Sequence, residues 1–425
     1  MIAHIDLDCF FVSVARLINP ALSGVPVAVI GGNNEEIFAN KDEGFGAKFH
    51  FDESAQNFKI QTQKEQNLQN FADEQKRLKS LQKGVVLSAS YEARKFGVHS
   101  AQPLKMALIA CPELVLDAAK HGVYGKISNQ IHKFLLNFTP EIEKFSVDEF
   151  FLDLRGTKYN ENAREFALFL QSEIKAKFGL PSSVGLSEAK FIAKLATDLA
   201  KPFGVREIPI SRLKTELRDV EISKFPGVGK SMQKTLAKYG IKSIGDAWGH
   251  REIFEKMGKN GEQIFAQISG DTSERVQVSR ERKSIGLGRS FEPCFDRDEI
   301  KRRIKILSRH LASEVLEGGL NPLTYEVKIR YKSRDESSKR LSQHRPFSLD
   351  LLDEMALLLF EAIDVHRGDA IIHVSLNLSN FGANSAECAT LLFDEIDKKR
   401  QNLDKSMNQI WSKFGVEKIK KASEI

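Results

Sequence analysis

The amino-acid sequence predicts a multidomain protein in which a mixed α/β part is followed by a helical part and then by a small α+β part. In the first half, β-rich segments such as residues 2–7 and 182–187 alternate with segments of helical character. Residues 210–276 are mostly helical in character, with two glycine-containing interruptions. Farther on, TYEVKIRYK (324–332) and IIHVSLNLS (371–379) alternate apolar and hydrophilic residues, a pattern typical of half-buried strands. A chain of 425 residues is long enough for two to four such domains.

The individual elements follow from the spacing of apolar residues and from the positions of proline. A helix from Ala189 has to stop near Lys201, because Pro202 cannot continue it. The faces expected to be buried are Tyr325, Val327, Ile329 and Tyr331 in one late strand, and Ile372, Val374, Leu376 and Leu378 in the other. We predict strands at 2–7, 26–30, 85–87, 145–154 and 182–187, and helices from Tyr91 and at 122–138, 161–178, 189–199, 297–317, 348–363 and 396–414.

Residues 34–83 differ in composition from their surroundings and read as an insertion. Between Gly46 and Gly84 there is neither proline nor glycine, and Gln, Asn, Lys and Glu dominate. The apolar residues that recur at roughly helical spacing are Leu68, Phe71, Leu78 and Leu81. They predict an amphipathic helix with loose flanks. The segment could bind a partner, act as a lid or be a tolerated surface excursion, and the last is our default interpretation.

Composition and charge restrict the class of protein. No apolar run approaches the ~18 residues of a membrane-spanning helix, and four widely spaced cysteines without a CxxC pair indicate a reducing cytoplasm. The net charge is +6, and residues 279–340 alone hold sixteen Lys or Arg against ten Asp or Glu. That stretch could be a solvated face or could contact a polyanion.

Two acidic pairs lie in apolar, β-rich surroundings. Asp6 and Asp8 flank the end of the first strand, and Asp148-Glu149 interrupt a hydrophobic segment. Such acids are costly to bury unless something neutralises them. Each pair alone could be a helix cap or a loop ion pair, but together they suit hard divalent cations, which take carboxylate oxygens from separate elements. Two ions about 4 Å apart are a common solution for in-line nucleotidyl transfer.

Six motifs in this order resemble the Y-family DNA polymerases, most of all their bacterial DNA polymerase IV branch. The similarity covers nearly the whole chain except the insertion at 34–83, where relatives have a short turn. The motifs are HIDLDCFF (4–11), SYEARKFGV (90–98), SVDEFFLDL (146–154), SVGLSEAKFIAKLATDLAKPFG (183–204), FPGVGKSMQKTLAKYGI (225–241) and RKSIG (282–286).

The resemblance implies a right-hand polymerase architecture with palm, fingers, thumb and little finger. The implied boundaries are palm 1–10 and 121–209, fingers 11–120, helix–hairpin–helix thumb 210–276, linker 277–284, little finger 285–382 and a C-terminal tail 383–425 with a charged helix.

The resemblance also implies a site for two Mg²⁺ ions. Asp6, Asp148 and Glu149 would be the catalytic metal ligands, with the backbone carbonyl of Leu7 as a further ligand. Asp8 would have only a supporting role.

The nucleotide-binding residues are implied by the same motifs. Phe11 would be the steric gate that rejects a ribose 2′-hydroxyl, and Phe10 would lie beside it in the core. Tyr91, Arg94 and Lys201 would hold the incoming dNTP, since Arg can meet phosphate bidentately and Lys as a point charge.

Two regions are implied to contact primer–template DNA. Gly227, Gly229 and Lys230 form a helix–hairpin–helix signal, in which glycines let a backbone approach a phosphate. Residues 257–261 look like a looser second copy, and both could instead be simple helix-joining turns. Lys328, Arg330 and Lys332 would lie on the DNA-facing sheet of the little finger.

Near the C-terminus, ATLLF (389–393) stands where relatives carry a glutamine-led peptide that binds the sliding clamp. Ala389 replaces the glutamine, whereas the Leu392-Phe393 anchor persists, so we expect weak clamp binding. Arg16 stands where relatives commonly have an acid, and the sequence offers no reason for it.

The sequence therefore predicts a monomeric, cytoplasmic, low-fidelity DNA polymerase for translesion synthesis in DNA repair and damage tolerance. Little chain remains for a proofreading exonuclease. Two alternatives remain open, a non-catalytic DNA-binding scaffold with this fold and a helix–hairpin–helix nuclease. The scaffold is disfavoured because every metal carboxylate is present, and the nuclease because no general base stands beside the acids and SYEAR would be unexplained.

Overall fold

The chain separates into two compact units in a computed structural model. One unit comprises residues 1–32 and 47–280, and the other residues 33–46 and 281–425. The structure describes residues 1–31, 36–38, 50–51, 60–61, 68–80, 84–279, 281–382 and 394–424. Among the helices of these residues, none has both the length and the apolar character needed to cross a bilayer.

The first unit is mixed α/β at its beginning and helical at its end. Its described elements are β1 (Ile2–Leu7), α1 (Phe10–Ile18), β2 (Val27–Ile30), β3 (His50–Phe51), β4 (Ile60–Gln61), α2 (Leu68–Lys79), β5 (Val86–Ala89), α3 (Tyr91–Arg94), α4 (Leu104–Ala110), β6 (Val115–Ala118), α5 (His121–Leu135), β7 (Ile142–Lys144), β8 (Glu149–Asp153), α6 (Ala163–Phe178), β9 (Ser182–Ser187), α7 (Lys190–Ala200), β10 (Val205–Glu207), α8 (Leu213–Leu217), α9 (Lys230–Ala237), α10 (Ile244–Ala247), α11 (Arg251–Glu255) and α12 (Gly258–Ile268).

A five-stranded sheet of order β10-β9-β1-β8-β7 forms the centre of this unit. β1 is its middle strand, antiparallel to both β8 and β9, and all six of its residues are buried. Because side chains alternate along a strand, Ala3, Ile5 and Leu7 join the core with α5 and α6, whereas Ile2 and His4 face α7. Asp6 lies on the same face of β1 as His4, so its carboxylate also points toward α7 and reaches Lys201 at the end of that helix.

A smaller sheet of order β5-β2-β6 packs its own core with α4. Helix α2 of the insertion covers the outer strand β6, and its Leu78 is 2% exposed in this core. Gln75 of α2 binds the backbone of Leu116 twice, accepting from the amide at 2.9 Å and donating to the carbonyl at 2.7 Å. The predicted inserted helix is confirmed, and it protects a strand edge rather than being a mere surface excursion.

The second unit is an antiparallel sheet backed by helices. Its elements are β11 (Ser284–Cys294), α13 (Arg297–Glu317), β12 (Pro322–Tyr331), β13 (Glu336–Ser342), α14 (Leu349–Ile363), β14 (Ile371–Phe381) and α15 (Asp394–Phe414). The sheet order is β11-β14-β12-β13. Its apolar face packs on α13 and α14, α15 adds Met407 and Trp411 to the same core, and its other face is hydrophilic.

Most predicted elements are confirmed, and three need correction. The segment 145–154 is a turn followed by β8, which begins only at Glu149, and the helix from Tyr91 is a single turn. Alternation in β12 is as predicted, but in β14 the fully buried residue is Ile371 instead of Ile372. The register shifts by one residue between Arg330 and Tyr331, and this bulge displaces Ile372 from the buried face.

Candidate active site

The two acidic pairs meet because β1 and β8 are neighbouring antiparallel strands. Asp6 lies opposite Glu149 in the register, and the Leu7 amide donates to the carbonyl of Asp148 at 3.0 Å. Asp148 closes the turn that leads from β7 into β8. The sheet thus brings together acids that are about 140 positions apart in the sequence, as the metal-site prediction requires.

Asp6 has a cation beside it. Lys201, at the end of α7, donates from Nζ to Asp6 Oδ2 at 2.6 Å and lies 3.2 Å from Oδ1 of Asp198. Burial raises the pKa of Asp6 to about 7, with Glu149 and Asp148 repelling its charge and Lys201 opposing the shift. Burial disfavours the charge on Lys201, but the two carboxylates outweigh it and raise the pKa of Lys201 above its ordinary value.

Asp148 and Glu149 each have their own partner. The Ser146 hydroxyl donates to Asp148 Oδ1 at 2.5 Å and accepts from the amides of Asp148 and Glu149. Burial raises the pKa of Asp148 while the Ser146 bond opposes this shift. Glu149 forms an ion pair with Lys194. Lys194 lies on α7, seven residues before Lys201.

The donors suit a hard divalent cation. Three carboxylates, on β1, on β8 and on the turn just before β8, lie beside the backbone of Leu7 and supply the oxygen ligands that such ions prefer. Within the described ranges, no three His, Cys, Asp or Glu side chains are already arranged as a metal-binding group. Two of the carboxylates pair instead with Lys201 and Lys194, so the charge that a cation would neutralise is shared with lysines.

A cavity of about 140 Å³ opens beside these acids. Its walls combine the predicted nucleotide-site residues with two of the three acids, and Glu149 is not among them. The lining residues are Asp6, Leu7, Cys9, Phe10, Phe11, Leu87, Ser88, Tyr91, Arg94, Ser100, Asp148 and Lys201.

Phe11 forms one wall of this cavity in a fixed orientation. Its ring stacks on Tyr124 with centroids 4.1 Å apart and an angle of 14° between the planes. Phe10 is 2% exposed and packs in the core, as expected. The turn from β1 into α1 that places both rings passes through Cys9 at φ 46°, a left-handed conformation that is uncommon for a residue other than glycine.

Tyr91 and Arg94 also line the cavity and lie on the one-turn helix α3. The Tyr91 hydroxyl donates to Asp8 Oδ1 at 2.8 Å. The Arg94 guanidinium lies 5.0 Å from the centroid of the Tyr91 ring and donates from Nε to the Ala89 carbonyl at 3.1 Å. Both side chains are therefore positioned by contacts within the site.

Asp8 links three distant parts of the chain beside the site, which agrees with the supporting role expected for it. It is 1% exposed and accepts hydrogen bonds from three separate segments of the chain. Besides Tyr91, the donors are the Ser183 hydroxyl of β9, at 2.9 and 3.1 Å from the two oxygens, and the Phe203 amide at 3.1 Å. No local pattern reveals these partners, which lie 83 to 195 positions away. Lys194 was also missed, although it stands two helical turns before Lys201.

The predicted hairpin in the helical part contains a glycine with a left-handed backbone conformation. Gly227 has φ 89°, and a Cβ there would meet Cδ1 of Ile264 at 2.5 Å, so only glycine fits without a shift. At Gly229, which precedes Lys230 and α9, a Cβ would meet no described atom within 4 Å. In the looser second copy, Gly258 has φ 71°, but Gly261 is required by close packing on the carbonyl of Phe254.

The basic residues of the second unit lie on the hydrophilic side of its sheet. Lys328 and Arg330 both form ion pairs with Glu336 of β13, and the Arg330 distance is 2.7 Å. Lys332 follows the end of β12 and is exposed. Glu336 therefore offsets part of the positive charge that the basic residues of β12 were expected to place on this face.

Arg16 now has a structural explanation. It forms an ion pair with Glu92 at 2.9 Å and donates to the carbonyls of Leu22 and Val25 at 3.0 and 3.1 Å. Arg16 therefore links α1 to α3, the helix that carries the SYEAR motif. The predicted clamp anchor, Leu392 and Phe393, lies outside the described residues.

Comparison with known proteins identifies the family. Residues 5–198 match the model of the impB/mucB/samB family, and residues 282–391 match the model of its C-terminal domain. A DNA polymerase IV of Lactococcus lactis subsp. cremoris (strain SK11) is 30% identical over 390 residues, which cover 91% of this chain and 95% of that protein. The chain belongs to the impB/mucB/samB family of Y-family DNA polymerases. Another relative of this Y-family polymerase, a DNA polymerase IV of Dehalococcoides mccartyi, is 26% identical over 97% of the chain and 95% of that protein.

Solved structures share the fold. A chimeric Y-family DNA polymerase superposes with a TM-score of 0.71 at 22% identity, covering 90% of this chain and 100% of that one. The insertion ternary complex of Dbh DNA polymerase gives a TM-score of 0.55 with the same identity and coverage. The predicted family, multidomain polymerase fold and polymerase function are thus confirmed, and membership in this Y-family implies catalysis that depends on divalent metal ions.

Proposed function

We propose that this Y-family polymerase adds dNMP units to a primer 3′-hydroxyl under the direction of a DNA template, using two Mg²⁺ ions. The observation that carries the proposal is the register of β1 against β8, which sets Asp6 and the Asp148-Glu149 pair side by side. The adjoining cavity is lined by Tyr91 and Lys201, groups suited to a triphosphate. Acids alone would suit many metal enzymes, whereas acids beside a phosphate-binding wall suit nucleotidyl transfer.

Asp6, Asp148, Glu149 and the carbonyl of Leu7 would hold the metal ions. When bound, these ions supply activation of the primer hydroxyl and neutralisation of the departing pyrophosphate. Lys201 reaches the metal carboxylate Asp6 in this structure, and from the same helix end it would contact the triphosphate. Arg94, which is exposed and lines the same cavity, would also contact the phosphates.

Phe11 would select deoxyribonucleotides by steric exclusion. Stacking on Tyr124 keeps its ring from turning away, so a 2′-hydroxyl would clash with a wall that does not yield. We assign residues 1–10 and 121–209 to the palm, 11–120 to the fingers, 210–276 to the thumb and 285–382 to the little finger. DNA would contact the hairpin at Gly227–Lys230 and the sheet face that carries Lys328, Arg330 and Lys332.

The cellular role that fits these features is low-fidelity synthesis across damaged templates, without a proofreading exonuclease. We further propose that the protein is a cytoplasmic monomer and binds the sliding clamp weakly through Leu392 and Phe393. Equal clamp affinity after both anchor residues are replaced by alanine would contradict that interaction.

Extension of a labelled primer on damaged and undamaged templates tests the enzymatic proposal. We expect Mg²⁺-dependent extension that falls at least ~1,000-fold in Asp148→Ala, because a metal ligand is lost. Asp198→Ala is the matched control, since Asp198 contacts Lys201 but lies 39% exposed outside the cavity. DNA binding without extension would favour the scaffold, and Asp148-dependent degradation of the primer would favour the nuclease.

A further inference from the structure

A short piece of the 34–83 insertion is buried in the second unit. The 3₁₀ turn Glu36–Phe38 is grouped with residues 281–425, although the chain before it belongs to the first unit. Phe38 is 5% exposed and forms part of the core that contains α13. Neither the metal site nor the nucleotide cavity uses this residue.

The Phe38 ring lies in an aromatic and cationic setting. It meets Phe291 of β11 edge to face, with centroids 5.8 Å apart and an angle of 82°. The Arg303 guanidinium of α13 lies 4.3 Å from the centroid of Phe291 and 5.1 Å from that of Phe38. Edge-to-face rings and a guanidinium over ring faces both attract beyond simple burial.

The backbone of Phe38 is held as well as its ring. Arg302 donates from Nη2 to the Phe38 carbonyl at 3.3 Å. Glu299, one turn earlier on α13, accepts from Nε of Arg302 at 2.6 Å and from Nε of Arg303 at 2.7 Å. One carboxylate therefore orients both arginines, so α13 presents an organised docking site rather than a random apolar patch.

The connection that leads to this site is short. Phe38 lies only seven positions after Gly31, which itself comes just after β2. Seven residues can extend over about 25 Å at most. A docked Phe38 therefore limits how far its binding site can move from the end of β2.

We propose that Phe38 is an internal anchor, which docks the insertion on the C-terminal domain and gives that domain a second attachment to the catalytic part of the chain. The first attachment is the linker at 277–284. The functional consequence rests on the proposed function, in which the C-terminal domain binds DNA. A domain held by two connections loses less freedom on binding DNA and has a higher effective concentration near the catalytic cavity.

Hydroxyl-radical footprinting of the full-length protein, read by mass spectrometry, tests the docking. Phe291 is 1% exposed beneath Phe38. In Phe38→Ala we expect oxidation of Phe291 to become at least ~3-fold faster, and in Phe38→Leu to remain close to wild type, since an apolar cover persists. The matched control is Phe295→Ala, because Phe295 is 64% exposed in the same unit. Unchanged oxidation of Phe291 in Phe38→Ala would overturn the proposed docking.

Affinity for primer–template DNA, measured by fluorescence anisotropy at fixed salt, tests the second attachment. We expect Phe38→Ala to bind about 3- to 10-fold more weakly, with Phe295→Ala unchanged and extension at saturating DNA preserved. If Phe38→Ala exposes Phe291 but binds DNA as tightly as wild type does, the role of the second attachment is overturned. A wild-type protein that binds no DNA and extends no primer would refute the proposed function, while footprinting would still decide the docking.

Discussion

Lys201 Nζ lies 2.6 Å from Oδ2 of Asp6, so a lysine that suits the triphosphate is bound to a carboxylate that suits the metal. Protonation of Asp6 is also favoured, because burial and two neighbouring acids raise its pKa to about 7. Protons, Lys201 and metal ions therefore compete for one carboxylate. A metal ion that binds Asp6 has to displace the proton or the lysine from this carboxylate.

A pH dependence of metal binding follows from this competition. A carboxyl whose pKa is raised in the folded protein holds its proton up to about pH 7, and a metal ion binding below that pH has to expel it. We expect the affinity for Mn²⁺, measured by electron paramagnetic resonance, to fall about tenfold per pH unit below 7 and to be nearly constant above 8. A flat profile between pH 6 and 8 would show that Asp6 is ionised throughout.

Asp8 and Tyr91 are expected to act as one positioning unit for the nucleotide. Asp8→Ala removes the acceptor of the Tyr91 hydroxyl and also the bonds from Ser183 and Phe203, whereas Tyr91→Phe removes only the first. We expect either change to raise KM for dNTP with a smaller effect on kcat, and Asp8→Ala to have the larger effect. In steady-state extension assays the double variant should be less impaired than the sum, by about 1 kcal/mol.

Mn²⁺ affinity serves as the control for that cycle, since neither residue is expected to be a metal ligand. It should remain within about twofold of wild type in both single variants. Strict additivity of the two changes would mean that Asp8 acts through Ser183 and Phe203 alone.

Local patterns were enough to predict the elements that carry the site. The apolar run of β1 with its terminal acids, the break at Pro202 and the alternation in β12 each reflect a single element, and the structure confirms them. The meeting of Asp6 with Asp148 also followed, since acids in apolar strands need a shared counter-ion.

Contacts between distant segments could not be predicted in the same way. Strand order and helix placement decide which residues bind Asp8 and bring Lys194 to Glu149. They also decide the hydrogen bonds between Gln75 and the backbone of Leu116. Phe38 is similar, because nothing around it in the sequence indicates Arg303 or Phe291 as neighbours. Ile372 leaves the buried face because of a bulge between β12 and β14, and the apolar-polar alternation of the β14 sequence gives no sign of that bulge.

A buried acid in the second unit is expected to reduce stability above neutral pH. Asp404 of α15 is 4% exposed and accepts from the amide of Leu349, the first residue of α14, at 2.8 Å. Burial raises the pKa of Asp404 to about 6, helped by Asp350 and Asp353 and opposed by the Leu349 hydrogen bond and by Lys421. The folded protein thus binds a proton more tightly than the unfolded chain, so stability contributed by Asp404 is present at low pH and is lost as pH rises toward 6.

Asp404→Asn keeps an oxygen that can accept from Leu349 but carries no charge. We expect the variant to be more stable than wild type at pH 8, by up to about 3 kcal/mol, and the difference to shrink to about 1 kcal/mol at pH 4.5, where the folded Asp404 is neutral but the unfolded one is still mostly ionised. Urea unfolding at the two pH values measures the difference, with Asp298→Asn as the control because its carboxylate is 93% exposed. A variant less stable than wild type at pH 8 would mean that the Leu349 hydrogen bond and the attraction to Lys421 together outweigh burial of the charge.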